Sequence, residues 1–134
     1  MKPNPRRRAL TALIASVLLW TALPSAPAPA EERKLSAAEI QQKLIGNTVE
    51  GMWDGSAYKQ FFDASGNTIY VEDGRMPAFG RWKADPEKDA FCSFWENSGE
   101  ACYEVREIDR DTIIWVSPSS GKEFPAKVLQ GDQL

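Results

Sequence analysis

The sequence predicts a mainly β protein: an antiparallel meander of about eight strands closed into a small barrel or half-barrel, preceded by one N-terminal helix. Three observations carry this. From Thr48 onward, short runs rich in β-branched and aromatic residues recur at regular intervals between turn residues such as Asp54-Gly55 and Asn97-Ser98-Gly99. The connections are too short for crossovers, so consecutive strands pair as antiparallel neighbours. Only "LSAAEIQQKLIGN", just before them, repeats its apolar positions with a helical period.

The chain begins with "MKPNPRRR", continues with "ALTALIASVLLW" and reaches "TALPSAPAPA", in which Ala28-Pro29-Ala30 offers a cleavage site. A basic segment, an apolar run and a small-residue segment in this order form a secretory signal peptide, assigned to residues 1–30. The apolar run from Ala9 to Leu23 ends at Pro24 and is shorter than the roughly 20 residues that a membrane-spanning helix needs. No cysteine lies near the cleavage site, which argues against a lipid anchor. Removing the signal leaves 12 of the 16 basic residues against all 19 acidic ones, a net charge of −7 where the whole chain has −3. That balance disfavours nucleic acid and anionic membranes, both of which attract lysine and arginine. The expected location is periplasmic or secreted, with no membrane span after cleavage.

Residues 31–34 form a short charged lead, and 35–134 a single domain small enough to have a narrow stability margin. In the helix Ser36 caps, Glu39 completes a capping box, and Leu35 and Ile40 occupy the positions of a hydrophobic staple. Gly46 is placed to end it, and Ile40 with Leu44 faces one end or edge of the sheet. The strands are expected at Thr48–Trp53, Ala57–Phe62, Thr68–Glu72, Ala78–Ala84, Ala90–Glu96, Ala101–Ile108, Thr112–Ser117 and Glu123–Leu129. Eight such strands close into a barrel of lipocalin-like form.

Cys92 and Cys102 are the only cysteines and the chain has no histidine, so a zinc site lacks ligands. Nine residues separate the cysteines, which rules out a Cys-x-x-Cys redox motif and leaves a structural disulfide of an exported protein. If they face each other in a hairpin, positions summing to 194 pair, Phe94 meets Glu100, and Gly99 takes a positive φ in the loop. In "CYEVREI" the bridge then shares the outer face with Glu104 and Arg106, while Tyr103 turns inward with Phe91, Ser93 and Trp95. Phe94 is left on the outer face.

Trp82, Phe91, Trp95, Tyr103 and Tyr58 are the candidate ligand-binding side chains. Either they and Trp53, Phe62, Tyr70, Trp115 and Phe124 pack solidly together, or the rings line a cavity with a few polar tips. Gly80, two residues before Trp82, can let the sheet bend or admit a neighbouring ring. "DASGNTIYVEDG" alternates Asp63, Ser65 and Asn67, but an EF-hand loop would want Gly and Glu where Thr68 and Gly74 stand, so it reads as a hairpin turn. Without histidine there is no Ser-His-Asp or Cys-His arrangement. Asp109/Asp111 and Glu72/Asp73 are the carboxylate pairs available for acid–base chemistry. No catalytic residue, metal site or cofactor is assigned.

The ordered set "IGNTVEG", "SAYKQFFDASGN", "GRWKAD", "FCSFWENSGEACYEV" resembles a family of small exported proteobacterial proteins defined as a domain of unknown function. Its pattern is G-N-T-x-x-G, an aromatic strand with a D-x-x-G turn, then G-x-W, C-x-x-W and C-x-x-V strands, here from about Leu44 to Val105. The resemblance makes Gly46, Asn47, Thr48, Gly51, Gly80, Trp82, Cys92, Trp95 and Cys102 framework positions; Val71–Pro77 is longer and more polar than the pattern. It implies the fold and export and carries no catalytic residues. "DGSAYK" is similar to the Ser/Gly–Tyr loop of periplasmic lysozyme inhibitors, also small disulfide-bearing barrels. The expected function is a non-catalytic binding or structural module of the cell envelope, its partner a small molecule, a glycan or an envelope protein. The alternatives are an inhibitor of an envelope hydrolase such as lysozyme, and a small envelope enzyme using paired carboxylates.

Overall fold

The computed structural model describes residues 22–28 and 31–134. The expected signal peptide lies outside the described residues except for 22–28, which are irregular and exposed. The elements in chain order are β1 (Arg33–Lys34), α1 (Ala37–Leu44), β2 (Thr48–Trp53), β3 (Ser56–Phe62), β4 (Asn67–Glu72), β5 (Ala78–Asp85), β6 (Ala90–Trp95), β7 (Gly99–Asp109), β8 (Thr112–Val116) and β9 (Glu123–Leu129). From β2 to β9 each strand pairs antiparallel with the next. β9 returns to β2 with Thr48 opposite Leu129 and Gly51 opposite Ala126, which closes an eight-stranded barrel. Closure removes the free edges that an open sheet would expose.

The charged lead is part of this sheet. Arg33 and Lys34 pair with Glu107 and Arg106, and the Leu35 amide donates to the Val105 carbonyl at 2.9 Å. The cause is the unequal length of neighbouring strands: β6 pairs with β7 only as far as Tyr103, so the rest of that β7 edge needs other partners for its backbone groups. Two charged residues carry no apolar alternation, which is why the sequence does not announce β1. Their side chains extend the pairing: Arg33 bridges Glu39 and Glu107 at 2.7 and 2.8 Å, and Arg106 bridges Glu32 and Glu104 at 2.8 and 2.7 Å.

α1 closes one end of the barrel. Its capping box is complete, with the Glu39 amide donating to Ser36 Oγ and the Ser36 amide to Glu39 Oε2. Asp89 Oδ1 accepts from the Ala37 amide at 2.9 Å and ties the helix start to the β5–β6 loop. Gly46, at φ 72°, turns the chain into β2. Leu35, Ile40 and Leu44 are fully buried against Val49, Phe62, Trp82, Phe91, Val105 and Ile113. Outside the barrel, Thr48 Oγ1 donates to the Gly131 carbonyl and accepts from the Gln133 amide, and Asn47 Oδ1 accepts from the Gly131 amide. The Asn-Thr pair thus fastens the C-terminal tail across the start of β2.

Cys92 and Cys102 form the disulfide, and the register is the one their spacing implies, with Phe91 opposite Tyr103, Phe94 opposite Glu100 and Gly99 at φ 77°. Phe94 stands half exposed on the outer face. The bridge closes a short loop, and in the chain-entropy picture such a loop contributes about 3 kcal/mol. Replacing both cysteines by serine should therefore lower the unfolding free energy by about 2–4 kcal/mol, read as a lower urea midpoint.

The ion pairs around β7 make stability depend on pH. Hydrogen bonds from Arg106 hold the Glu104 carboxyl below its usual range, and those from Lys43 do the same for Glu107. A carboxyl with a depressed folded-state pKa binds fewer protons folded than unfolded. Its contribution is therefore present above the ordinary carboxylate pKa and is lost as pH falls through the depressed one. Urea midpoints should be flat near neutrality and drop on acidification below about pH 4.5, and Glu107→Gln should flatten that drop.

Candidate functional site

Strand alternation sends one side chain in two into the barrel, and the depth along each strand decides what that side chain meets. Near α1 the interior is solid: Phe62 contacts Trp82 and Phe91 edge-on, at centroid distances of 5.4 and 5.6 Å. Phe91 and Trp115, 4.8 Å apart, lie across the middle of the barrel. Beyond them, toward the β2–β3, β4–β5, β6–β7 and β8–β9 turns, is a cavity of about 440 Å³. Phe91, Trp115 and Tyr58 form its floor, because they line it and also belong to the packed core.

The wall is a chain of rings. Tyr103 meets Trp53 edge-on at 5.4 Å, Trp53 meets Tyr58 at 6.4 Å, Tyr58 stacks on Tyr70 at 5.1 Å, and Tyr70 meets Trp95 at 6.1 Å. Phe124 stacks behind Trp53 at 4.0 Å without lining the cavity itself. Trp95 is seated by Gly80 directly across the strand pair, where a Cβ would stand 2.5 Å from its ring. Glycine here is a space requirement, since the ring occupies the volume a side chain would fill.

The polar groups of the wall are partly committed. Trp115 Nε1 donates to Tyr58 Oη at 3.0 Å and Trp95 Nε1 to Ser93 Oγ at 3.1 Å. Gln60 Nε2 donates to Thr68 Oγ1 at 3.0 Å, which leaves its second N–H and the Gln60 carbonyl oxygen as further polar groups. Burial pushes the Tyr70 phenol up to about 12 and raises Tyr58 and Tyr103 as well, with Asp54 in the β2–β3 turn adding to the rise at Tyr70 and Tyr103. All three hydroxyls stay protonated at neutral pH. Among the described residues, Glu72 is the only carboxylate in the lining, and no lysine or arginine lines it.

Of the side chains singled out in the sequence, Tyr58, Phe91, Trp95 and Tyr103 come together around the cavity. Trp82 does not join them: it lies deeper, in the packed half, and its Nε1 donates to the Asp63 carbonyl at 3.0 Å. Ala78 and Ser98 also line the cavity, as do Trp53, Gln60, Tyr70, Glu72, Ser93, Ala101 and Trp115. The inward parity of the latter group is readable from β2, β3, β4, β6, β7 and β8 once the faces are assigned; their depth is not.

The other groups considered for chemistry fall elsewhere. Glu72 points into the cavity, whereas Asp73 lines a separate groove of about 630 Å³ on the outer wall, so the two do not converge. Asp109 Oδ1 accepts from the Asp111 amide at 3.0 Å, which shapes the β7–β8 turn and holds Asp109 below its usual range. Tyr58 is buried within the barrel and not presented by the Asp54-Gly55 turn. Asp63, Ser65 and Asn67 hydrogen-bond one another across the β3–β4 turn. Among the described residues, the group of three possible metal ligands is Cys92, Cys102 and Glu100, and the disulfide consumes its two thiols.

No family model, curated protein or solved structure matches the chain. The geometry of the barrel is what its functional reading rests on. One substitution probes that geometry directly: Gly80→Ala forces Trp95 or the Phe94 backbone away, because its Cβ would also stand 2.7 Å from the Phe94 carbonyl oxygen. It should destabilise the fold by about 1–3 kcal/mol, as overpacking does, and shift the tryptophan emission of the folded state.

Proposed function

We propose that the protein is an exported, non-catalytic binding protein of the cell envelope, periplasmic or secreted, that takes a small ligand through the barrel mouth. One observation carries the reading: a single barrel is packed solid against α1 and hollow at the other end, where about 440 Å³ is walled by rings and a few polar groups. That size and lining are what small-ligand sites have in common. The outer groove is larger but is lined by charged side chains such as Glu50, Lys59, Asp73 and Lys127 and by few rings. Export is supported by the Cys92–Cys102 disulfide, a bond that persists in oxidising compartments. Among the described residues, no helix is long and apolar enough to cross a membrane.

A tryptophan-fluorescence screen of neutral, cationic and anionic aromatic compounds tests the cavity. Trp53, Trp95 and Trp115 line it, so an occupant of at least one class should change the emission saturably. Ala101→Phe, which fills the space from β7, should abolish the response, and Met52→Ala, on the outer face, should leave it intact. No response from any class, or a response that survives Ala101→Phe, overturns the proposal.

A further inference from the structure

The cavity has a charge preference as well as a shape. Its wall is Trp53, Tyr58, Tyr70, Trp95 and Tyr103 in continuous ring contact. The faces of such rings carry negative electrostatic potential, strongest for indole. Among the described residues the one formal charge in the lining, Glu72, has the same sign; Asp54 in the β2–β3 turn adds to the rise of the Tyr70 and Tyr103 phenols, while Arg75 opposes it at Tyr70. The hydroxyls of those tyrosines remain neutral, and among the described residues no lysine or arginine lines the cavity to hold an anion. The remaining polar atoms, the Gln60 carbonyl oxygen among them, suit a polar substituent on a largely apolar ligand.

From the sequence the rings invite either a packed core or a general apolar pocket. The structure assigns something narrower: we infer that the cavity is an aromatic cage for an organic cation, a quaternary or alkylated ammonium group lodged among the rings of Trp53, Tyr70, Trp95 and Tyr103 with the Glu72 carboxylate as counter-ion. This rests on the binding reading above and specifies its ligand class.

One cation already stands nearby. Arg75 Nε lies 3.6 Å from Glu72 Oε2, but its side chain is about three-quarters exposed and is not part of the lining. A pair so open to water holds weakly. An ammonium group entering from the mouth competes with Arg75 for the carboxylate and gains the ring faces of the cavity wall, to which Arg75 does not belong. The acidic excess of the chain after loss of the basic N-terminal segment draws cations toward the protein at low salt.

The experiment compares isosteres on the intact protein. Choline and benzyltrimethylammonium are titrated against 3,3-dimethylbutan-1-ol, the neutral carbon isostere of choline, and against phenylacetate as an anion, all followed by tryptophan emission. Choline should bind at least about tenfold more tightly than its neutral isostere, and phenylacetate most weakly. Glu72→Gln should weaken choline by about fivefold or more while leaving the neutral compound unchanged. Arg75→Ala, which removes the competing cation, should tighten it, a direction that loss of folding does not give. Binding of the neutral isostere or phenylacetate as tightly as choline overturns the cation assignment and leaves the cavity reading standing. A choline affinity indifferent to Glu72→Gln overturns the counter-ion, and silence from every compound overturns both proposals.

Discussion

The contact between Phe91 and Trp115, 4.8 Å between centroids, divides the barrel. An eight-stranded barrel encloses an interior that side chains just fill or that holds one small ligand. Here one half is filled by side chains and the other leaves a cavity. Below the contact, Phe62, Trp82 and the apolar face of α1 fill the space, and burial there stabilises a domain with little core to spare. Above it, rings of the same type leave room. If Phe91 or Trp115 moved, the packed half would lose its lid and the cavity its floor together. Trp115 is fixed by its hydrogen bond to Tyr58, which is itself floor on one side and wall on the other.

Much of this was legible because strand chemistry is local. Gly80 and Trp82 share a face with period 2, the Cys92–Cys102 pair sets a register that propagates to Phe91 and Tyr103, and Ser36 with Glu39 marks the helix start. These signals depend on neighbours within a few residues. Three features do not. β1 is written in two charged residues whose only reason to extend is the unpaired edge of β7, seventy residues away. Trp82 and Trp95 have the same inward parity, yet one is core and the other lines the cavity, because depth is set by barrel stagger. Glu72, which reads as a turn acid beside Asp73, is turned inward by being the last residue of β4.

The glycines of the barrel show the same division between local and distant causes. Gly46 and Gly99 have positive φ, a demand of their own turns. Gly51 and Gly80 have ordinary backbone geometry and are required by what lies across the sheet. A Cβ on Gly51 would stand 3.0 Å from the Pro125 carbonyl oxygen at the closing seam, and one on Gly80 would enter the Trp95 ring. Both permit closure in a particular shape, with the seam drawn tight at one place and a wall ring seated at another.

The disulfide belongs to the site for this reason. It lies on the outer face, touching no ligand, but it locks β6 to β7 in the stretch that carries Trp95 and Tyr103, two rings of the wall. Trp95 is held from three directions: its indole N–H by Ser93 Oγ, its ring by the space at Gly80, and its backbone by pairing with Gly99 next to the turn. An unbridged hairpin of this length at the mouth of a barrel is the kind of element that opens locally. Bridging restricts that opening, and on the proposed binding reading it would leave less ordering to be done on ligand entry. What reads in the sequence as a staple for a small domain thus also holds part of the cavity wall in place.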